Sequence, residues 1–260
     1  MLSGYLYVGE GDTGPMAGAE VGRRVAKDSC EPPWLVVMHT VDGVNVTRWP
    51  GRLFRVAAVP AADAAAREAV RRANEAFSPT AGHSRAHTVD VLAELSPGVL
   101  FGPSGEEVAR VADAAAALTP ATAGLLASAW TGAGRTAYAA AWERWLADRP
   151  DAGPYLGSDH SAALLIPGAG RPGSPLGRGF LAVHAAVLAS ARTRGGEAAF
   201  TVVEDDADGE PGGLQLGRTW SGAADALLGA AMALGAPGLP TPEEAALLTA
   251  PWRLLTGGVR

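Results

Sequence analysis

A chain of 260 residues, 48% of them hydrophobic, is long enough for one large domain with a sizeable core or for two small domains. The formal net charge of −6 argues against a nucleic-acid binder, because phosphates attract proteins with a basic face. Lys27 is the only lysine and Asp28 follows it, so the chain has no phosphate-binding P-loop and only one candidate amine for Schiff-base chemistry.

Cysteine content and hydropathy bear on the compartment. Cys30 is the only cysteine, which excludes a disulfide within the chain and a cysteine-rich zinc site and is typical of a reducing compartment. The N-terminus lacks a basic segment followed by an apolar run, and no stretch of about 20 residues is apolar enough to span a bilayer. We therefore expect no signal peptide, no membrane association and a cytoplasmic location.

Residues 1–60 predict a small antiparallel sheet and one helix. The predicted strands are 5–8, 34–39, 44–48 and 53–59. A glycine-rich loop follows the first strand and leads into a helix to about Ser29, which Pro32 and Pro33 end. Asp42-Gly43 is typical of a hairpin turn, because this pair tolerates the positive φ angles that such turns need.

The apolar residues then follow a helical period as far as about residue 147. The predicted helices are 61–77, 83–95, 104–118, 120–130 and 134–147. In the last of them Tyr138, Trp142 and Trp145 fall on one face, and such a stripe is most simply part of the core.

The C-terminal part alternates loops, strands and helices. Strands are predicted at 162–166, 199–204 and 214–216, and helices at about 180–193, 222–234 and 241–249. Two loops rich in proline and glycine, 149–160 and 167–179, flank the first of these strands.

This order of elements predicts an α+β fold, with two small α/β lobes as the second choice. The antiparallel strands lie near both termini, at about 5–8, 34–59 and 162–216, and they pack with a helical middle at about 61–147. We expect a single globular domain over residues 1–260. If it is subdivided, residues 1–60 join residues 150–260 in one sub-lobe, and residues 61–149 form the helical one.

Two segments match the glycine spacing of the dinucleotide-binding fingerprint, in which a phosphate approaches a helix N-terminus. They are Gly9–Gly14 and Gly168–Gly173. With 34 glycines in 260 residues, about half a match is expected by chance, so a plain surface loop is the alternative at both. The second segment leads into a predicted helix, and its candidate cofactor-binding residues are Gly168, Gly170, Gly173 and Arg178. The cofactor itself is unknown.

Two histidines form a candidate metal pair. His83 and His87 are four residues apart in the predicted helix 83–95, which would place both imidazoles on one face. Ser84 follows His83 where a zincin motif would have glutamate, so a third ligand would have to come from elsewhere in the chain. A helix face that is partly solvated and partly packed is the alternative.

The candidate catalytic residues are Asp159 and His160, which stand beside Ser158 in a predicted loop. Side chains of adjacent residues diverge, so a triad would need distant partners, and His160 is a candidate general base. No Gly-x-Ser-x-Gly nucleophile elbow occurs in the chain. A histidine that caps the loop is the alternative.

Two functions stay open after these exclusions. The first is a small-molecule-binding protein or enzyme, for instance in a biosynthetic pathway, which the glycine-rich loops, seven tryptophans and arginine-rich basic set favour. The second is a protein–protein interaction or accessory module without chemistry, which the lack of a strong catalytic motif favours. The sequence leaves a homo-oligomer open, and a pocket lined by tryptophan and arginine beside residues 168–179 or His160 would favour the first function.

Overall fold

Strands dominate the N-terminal part of the protein and helices the C-terminal part. The computed structural model describes residues 2–46, 48–76, 82–147, 175–203 and 213–257. The strands are β1 (Leu2–Gly9), β2 (Arg24–Ala26), β3 (Leu35–Met38), β4 (Gly51–Val59), β5 (His83–Ala86), β6 (Thr88–Leu95), β7 (Phe200–Val203) and β8 (Gly213–Leu216). The helices are α1 (Ala64–Glu75), α2 (Gly105–Ala116), α3 (Pro120–Ala129), α4 (Gly132–Ala147), α5 (Pro175–Ser190), α6 (Arg218–Gly235) and α7 (Pro242–Leu255). The predicted α+β fold class is confirmed.

Six strands form one antiparallel sheet in the order β2-β6-β4-β1-β3-β5. Only His87 separates β5 from β6 in the chain, although three strands lie between them in the sheet. In a flat sheet β5 and β6 would be about 19 Å apart, whereas the two peptide steps that join them span less than about 8 Å. The sheet therefore curls until the end of β5 meets the start of β6 at His87, and we call the curled set of β1, β3, β4, β5 and β6 the ring.

The ring encloses a small hydrophobic core. Its buried strand residues are Leu6, Val8, Leu35, Val37, Phe54, Val56, Ala86, Val89 and Val91. Within each strand they stand two positions apart, which is the period of a strand that buries one face. Met16 and Ala19, from the turns between β1 and β2, complete this core.

Helices α2 to α7 surround a larger core. Its fully buried side chains include Leu100, Phe101, Leu118, Leu126, Phe180, Leu227, Met232 and Leu248. Val44, Val46 and Trp49, between β3 and β4, belong to the same core, as does Leu53 of β4. Because residues from the strand-rich part lie in the core of the helices, the structure supports one domain over residues 1–260, which stays a prediction. No helix in the described part of the chain combines the length and apolarity that a bilayer span requires.

Three local predictions before β4 are wrong. The segment after β1 forms turns and the short strand β2 instead of a helix to Ser29, because Met16 and Ala19 turn into the ring core. Asp42-Gly43 lies in a single 3-10 turn at Val41–Gly43 and not in a hairpin. The strand predicted from residue 44 does not form, because Val44 and Val46 are buried against the helices as irregular chain.

The helix predicted at 83–95 is also wrong, because these residues form β5 and β6. Val89 and Val91 alternate into the ring core, and β-branched side chains pack well on a pleated strand. The other helices of the predicted middle are confirmed as α1 to α4, and Tyr138 and Trp142 are buried as predicted. The side chain of Trp145 and the strand predicted at 162–166 lie outside the described residues.

Candidate functional site

A cleft opens between helix α1 and the bend of the ring at His87. Its volume is about 250 Å³. It is lined by Val59, Pro60, Ala61, Arg67, Val70, Arg71 and His87. Most of this lining is apolar, and two arginines and one histidine supply its polar atoms.

Helix α1 is capped at its start and is held against the ring near its end. At its start Asp63 caps the helix, because its Oδ2 accepts a hydrogen bond of 2.7 Å from the Ala66 amide. Near its end the Asn74 side chain pairs with the backbone of Arg85 in β5. Asn74 Nδ2 donates to the Arg85 carbonyl at 2.9 Å, and the Arg85 amide donates to Asn74 Oδ1 at 2.8 Å. These bonds fix the helical wall of the cleft.

The opposite wall is the bend itself. The His87 carbonyl accepts a hydrogen bond of 3.0 Å from the Lys27 amide, which ties the bend to the end of β2. His87 Nδ1 and the Thr88 hydroxyl, which is buried, share a hydrogen bond of 3.0 Å. The other ring nitrogen, Nε2, forms no hydrogen bond within the described part of the chain. His87 therefore has one ring nitrogen with capacity for a ligand.

Arg67 is anchored by backbone carbonyl groups. Its Nη1 donates to the carbonyls of Ala61 and Ala62 at 2.9 and 2.6 Å. Arg67 forms no ion pair with any residue that the structure describes, and its Nε and Nη2 make no hydrogen bond there. Its positive charge at the cleft is therefore not neutralised by a described carboxylate.

Arg71, one helical turn further, is in the opposite situation. It forms ion pairs with Glu68 at 2.7 Å and with Glu75 at 2.5 Å, and Arg72 also pairs with Glu68. Hydrogen bonds from Arg71 and then Arg72 lower the pKa of Glu68 to about 2. The charge of Arg71 is thus already balanced by carboxylates on its own helix. Arg67 is the arginine of the cleft that can recognise an anion.

The predicted metal pair, His83 and His87, lies on strand β5 and at the bend after it, so the helical spacing behind that prediction does not exist. Consecutive strand residues are about 3.3 Å apart along the chain, so residues four apart are farther from each other than on one helix face. The described residues contain no group of three or more metal-ligating side chains placed to hold an ion. Metal binding by this pair stays a prediction.

Arg178, predicted to bind a cofactor, is only 2% exposed. Its Nε donates to the Leu100 carbonyl at 2.7 Å, and its Nη1 donates to the Asp42 carbonyl at 2.9 Å. Its Nη2 pairs with Asp42 Oδ1 at 2.9 Å. Burial lowers the pKa of Arg178 in spite of the Asp42 carboxylate. These contacts give Arg178 a structural task, namely to join α5 to the two turns at Asp42 and Leu100.

The remaining predicted site residues lie outside the described residues. They are Asp159, His160, Gly168, Gly170 and Gly173. The first glycine segment is described, and no helix follows it: Gly11 has a φ of 79°, and the Gly9 amide donates to Asp12 Oδ2 at 2.9 Å. This is a closed turn without the helix N-terminus that phosphate binding in the fingerprint requires.

A second group of titratable side chains lies in the helical layer. Burial raises the pKa of Tyr138, which stacks edge-to-face on Trp142 with ring centres 6.1 Å apart. Burial also lowers the pKa of His184, and the nearby charge of Asp225 opposes this effect. Trp142 in turn packs on Phe180, one helical turn from His184. These aromatic rings are part of the close-packed core.

The sequence analysis did not identify Arg67, and it identified His87 as a candidate metal ligand and not as part of a cleft. Arg67 stands among the alanines of a correctly predicted helix, but no motif separates it from Arg71 and Arg72. The spacing of charges gives no signal either, because Arg67 and Arg72 each have a carboxylate four residues before them and none four residues after them. No protein-family model, curated protein or solved structure matches the chain.

Proposed function

We propose that the protein binds a small, largely apolar molecule in the cleft between α1 and the bend at His87. The observation that carries this proposal is the combination of an apolar floor, made by Val59, Pro60 and Val70, with polar groups at Arg67 and His87. Ligand sites generally combine a mostly apolar concave surface with a few placed polar groups.

The size of the cleft restricts the ligand. Its volume of about 250 Å³ is below the range of about 300–1,000 Å³ typical of sites for drug-sized molecules. A ligand with a single ring or a short alkyl chain fits this volume, whereas a dinucleotide does not. The proposal therefore concerns the binding of small metabolites.

The proposal also covers the cellular compartment and the absence of nucleic acid from the function. A cytoplasmic or other reducing compartment is supported by the presence of only one cysteine, and the net charge of −6 supports a function without nucleic acid.

The hairpin β7–β8 supports the alternative function, an interaction module. Val202 and Leu214 face each other across the two strands and are 73% and 70% exposed. On the same face of the two strands, Phe200 and Leu216 also pair with each other, and these two side chains pack on the helical core. Two large exposed apolar side chains side by side are typical of a contact surface. We rank this function second, because the hairpin offers no concave site.

Substitution in the cleft tests the first proposal. Val70→Trp should fill the cleft and weaken binding of small probes by at least about tenfold, because the probe and the indole compete for one volume. The probes are benzoate, hexanoate, 3-phenylpropionate and their amides, and binding is followed by amide chemical shifts at Val59, Val70 and His87. The matched control is Ala65→Trp, which places the same side chain on an exposed part of α1 outside the cleft. The proposal fails if no probe shifts these signals, or if Val70→Trp binds the probes as the wild type does.

A further inference from the structure

We propose that the molecule bound in the cleft is a carboxylic acid with an apolar body, and that Arg67 holds its carboxylate group. This inference rests on the proposed function and specifies its ligand class. It depends on the charges of α1, on the anchoring of Arg67 and on the composition of the cleft.

The charges of α1 leave one arginine for a ligand. Arg71 and Arg72 share the carboxylates of Glu68 and Glu75. Asp63, the N-cap residue of α1, accepts the Ala66 amide and forms no ion pair within the described residues. Arg67 is therefore the cation at the cleft whose charge a bound anion would compensate.

The anchoring of Arg67 prepares its guanidinium for a planar acceptor. Two backbone carbonyls hold Nη1, which reduces the conformational entropy that binding would otherwise cost. Nε and Nη2 stay available, and these two donors form the edge that binds both oxygens of one carboxylate. A lysine could not reproduce this recognition, because an ammonium group lacks the parallel pair of donors.

The composition of the cleft selects a carboxylate among anions. One uncompensated cation balances one negative charge, whereas a phosphate monoester carries up to about two at neutral pH. The apolar lining from Val59, Pro60, Ala61 and Val70 adds affinity for a hydrocarbon body. His87 stands on the other wall, where Nε2 can form a hydrogen bond with a second polar group of the ligand.

Pairs of acids and amides of the same shape test the inference. We expect the wild type to bind benzoate, hexanoate or 3-phenylpropionate about 10- to 100-fold more tightly than the corresponding amide, because a charge-assisted bidentate pair is lost in the amide. Arg67→Gln should abolish this preference, and Arg67→Lys should reduce it. Arg72→Gln, a control on the same helix outside the cleft, should keep it. Dissociation constants are measured by titration of amide chemical shifts.

The outcomes separate the inference from the proposed function. Equal binding of acid and amide by the wild type, or an undiminished preference in Arg67→Gln, overturns the carboxylate inference and leaves the proposed function standing. Amide binding that survives in Arg67→Gln, together with the lost preference, supports the inference and shows that the cleft is intact. If no acid and no amide binds the wild type, both the proposed function and the inference are wrong.

Discussion

Burial changes what individual ionisable side chains of this protein can do. Arg178 keeps its charge in the interior because one carboxylate oxygen and two carbonyls receive its donors. Arg67, on the surface, is anchored through Nη1, and its other donors have no partner among the residues that the structure describes. The same residue type therefore has a structural role in one place and a proposed binding role in the other, and the difference lies in which partners the fold supplies.

His184 gives a prediction at this scale. Burial lowers its pKa below the ordinary value of 6.5, so the unfolded chain takes up a proton at a higher pH than the folded protein does. The stabilisation from neutral His184 is complete above 6.5 and is lost as the pH falls from there through the pKa of the folded state. We expect the free energy of unfolding to fall between about pH 7.5 and about pH 5.5, and to fall less in His184→Gln. Urea titrations at several pH values measure this, and equal pH dependence in both proteins would contradict it.

At the scale of elements, helix α1 and strand β5 depend on each other. β5 stands at the end of the strand order, where it pairs with β3 on one side. Such an edge strand leaves half of its backbone groups without a strand partner. Asn74 supplies both a donor and an acceptor to Arg85, and Arg85 Nη1 returns a bond of 3.0 Å to the Ala73 carbonyl. The helix thus covers the strand, and the strand fixes the helix that forms one wall of the cleft.

Removing this connection has a predictable cost. Asn74→Ala deletes the two hydrogen bonds to the half-buried backbone of Arg85 and a third from Nδ2 to the Val70 carbonyl, and we expect it to lower the free energy of unfolding by about 1–2 kcal/mol. The neighbouring substitution Glu75→Gln, on the exposed side of the helix, should change it by less than about 0.5 kcal/mol. Urea unfolding followed by circular dichroism compares the two. Equal stability of Asn74→Ala and Glu75→Gln would show that Asn74 does not fasten α1 to β5.

At the scale of the whole molecule, side chains of Arg178 and Trp49 join the ring side of the protein to the helical layer, in addition to the shared core. Arg178 of α5 bonds to Asp42 and to Leu100, which are 136 and 78 residues away. The Trp49 indole donates to Asp113 Oδ1 of α2 at 2.9 Å. Such contacts tie sequence-distant parts together and favour unfolding in one cooperative step.

Arg178→Met tests this connection. Methionine keeps part of the apolar volume but leaves the carbonyls of Leu100 and Asp42 without a donor, so we expect a loss of about 2–4 kcal/mol in the free energy of unfolding. Asp42→Asn should cost less, because the 63% exposed side chain keeps an acceptor oxygen for the guanidinium. Urea unfolding followed by both circular dichroism and tryptophan fluorescence measures these changes. A wild-type midpoint in Arg178→Met would contradict the structural role.

The cleft shows how far sequence reasoning extends toward a site. The helix that carries Arg67 was predictable, because an alanine-rich segment with Asp63 before it favours a capped helix. His87 drew attention as part of a metal pair, and its place at a bend between two strands was not predictable. That place depends on Leu35 pairing with Ala86 and on Val59 pairing with Thr88, which are contacts between distant segments.

The sequence by itself determined the mixed α+β class and most helices after residue 100, because these depend on local features. Thr119 and Thr241, each followed by proline, begin α3 and α7 with reciprocal caps that involve only neighbouring residues. Only the tertiary structure decided that residues 83–95 form strands, that the sheet curls into the ring, that Arg178 is a buried connection and that a cleft opens beside His87. Each of these depends on partners tens of residues away, and the free energy of such pairings is not encoded in the local pattern around any one of them.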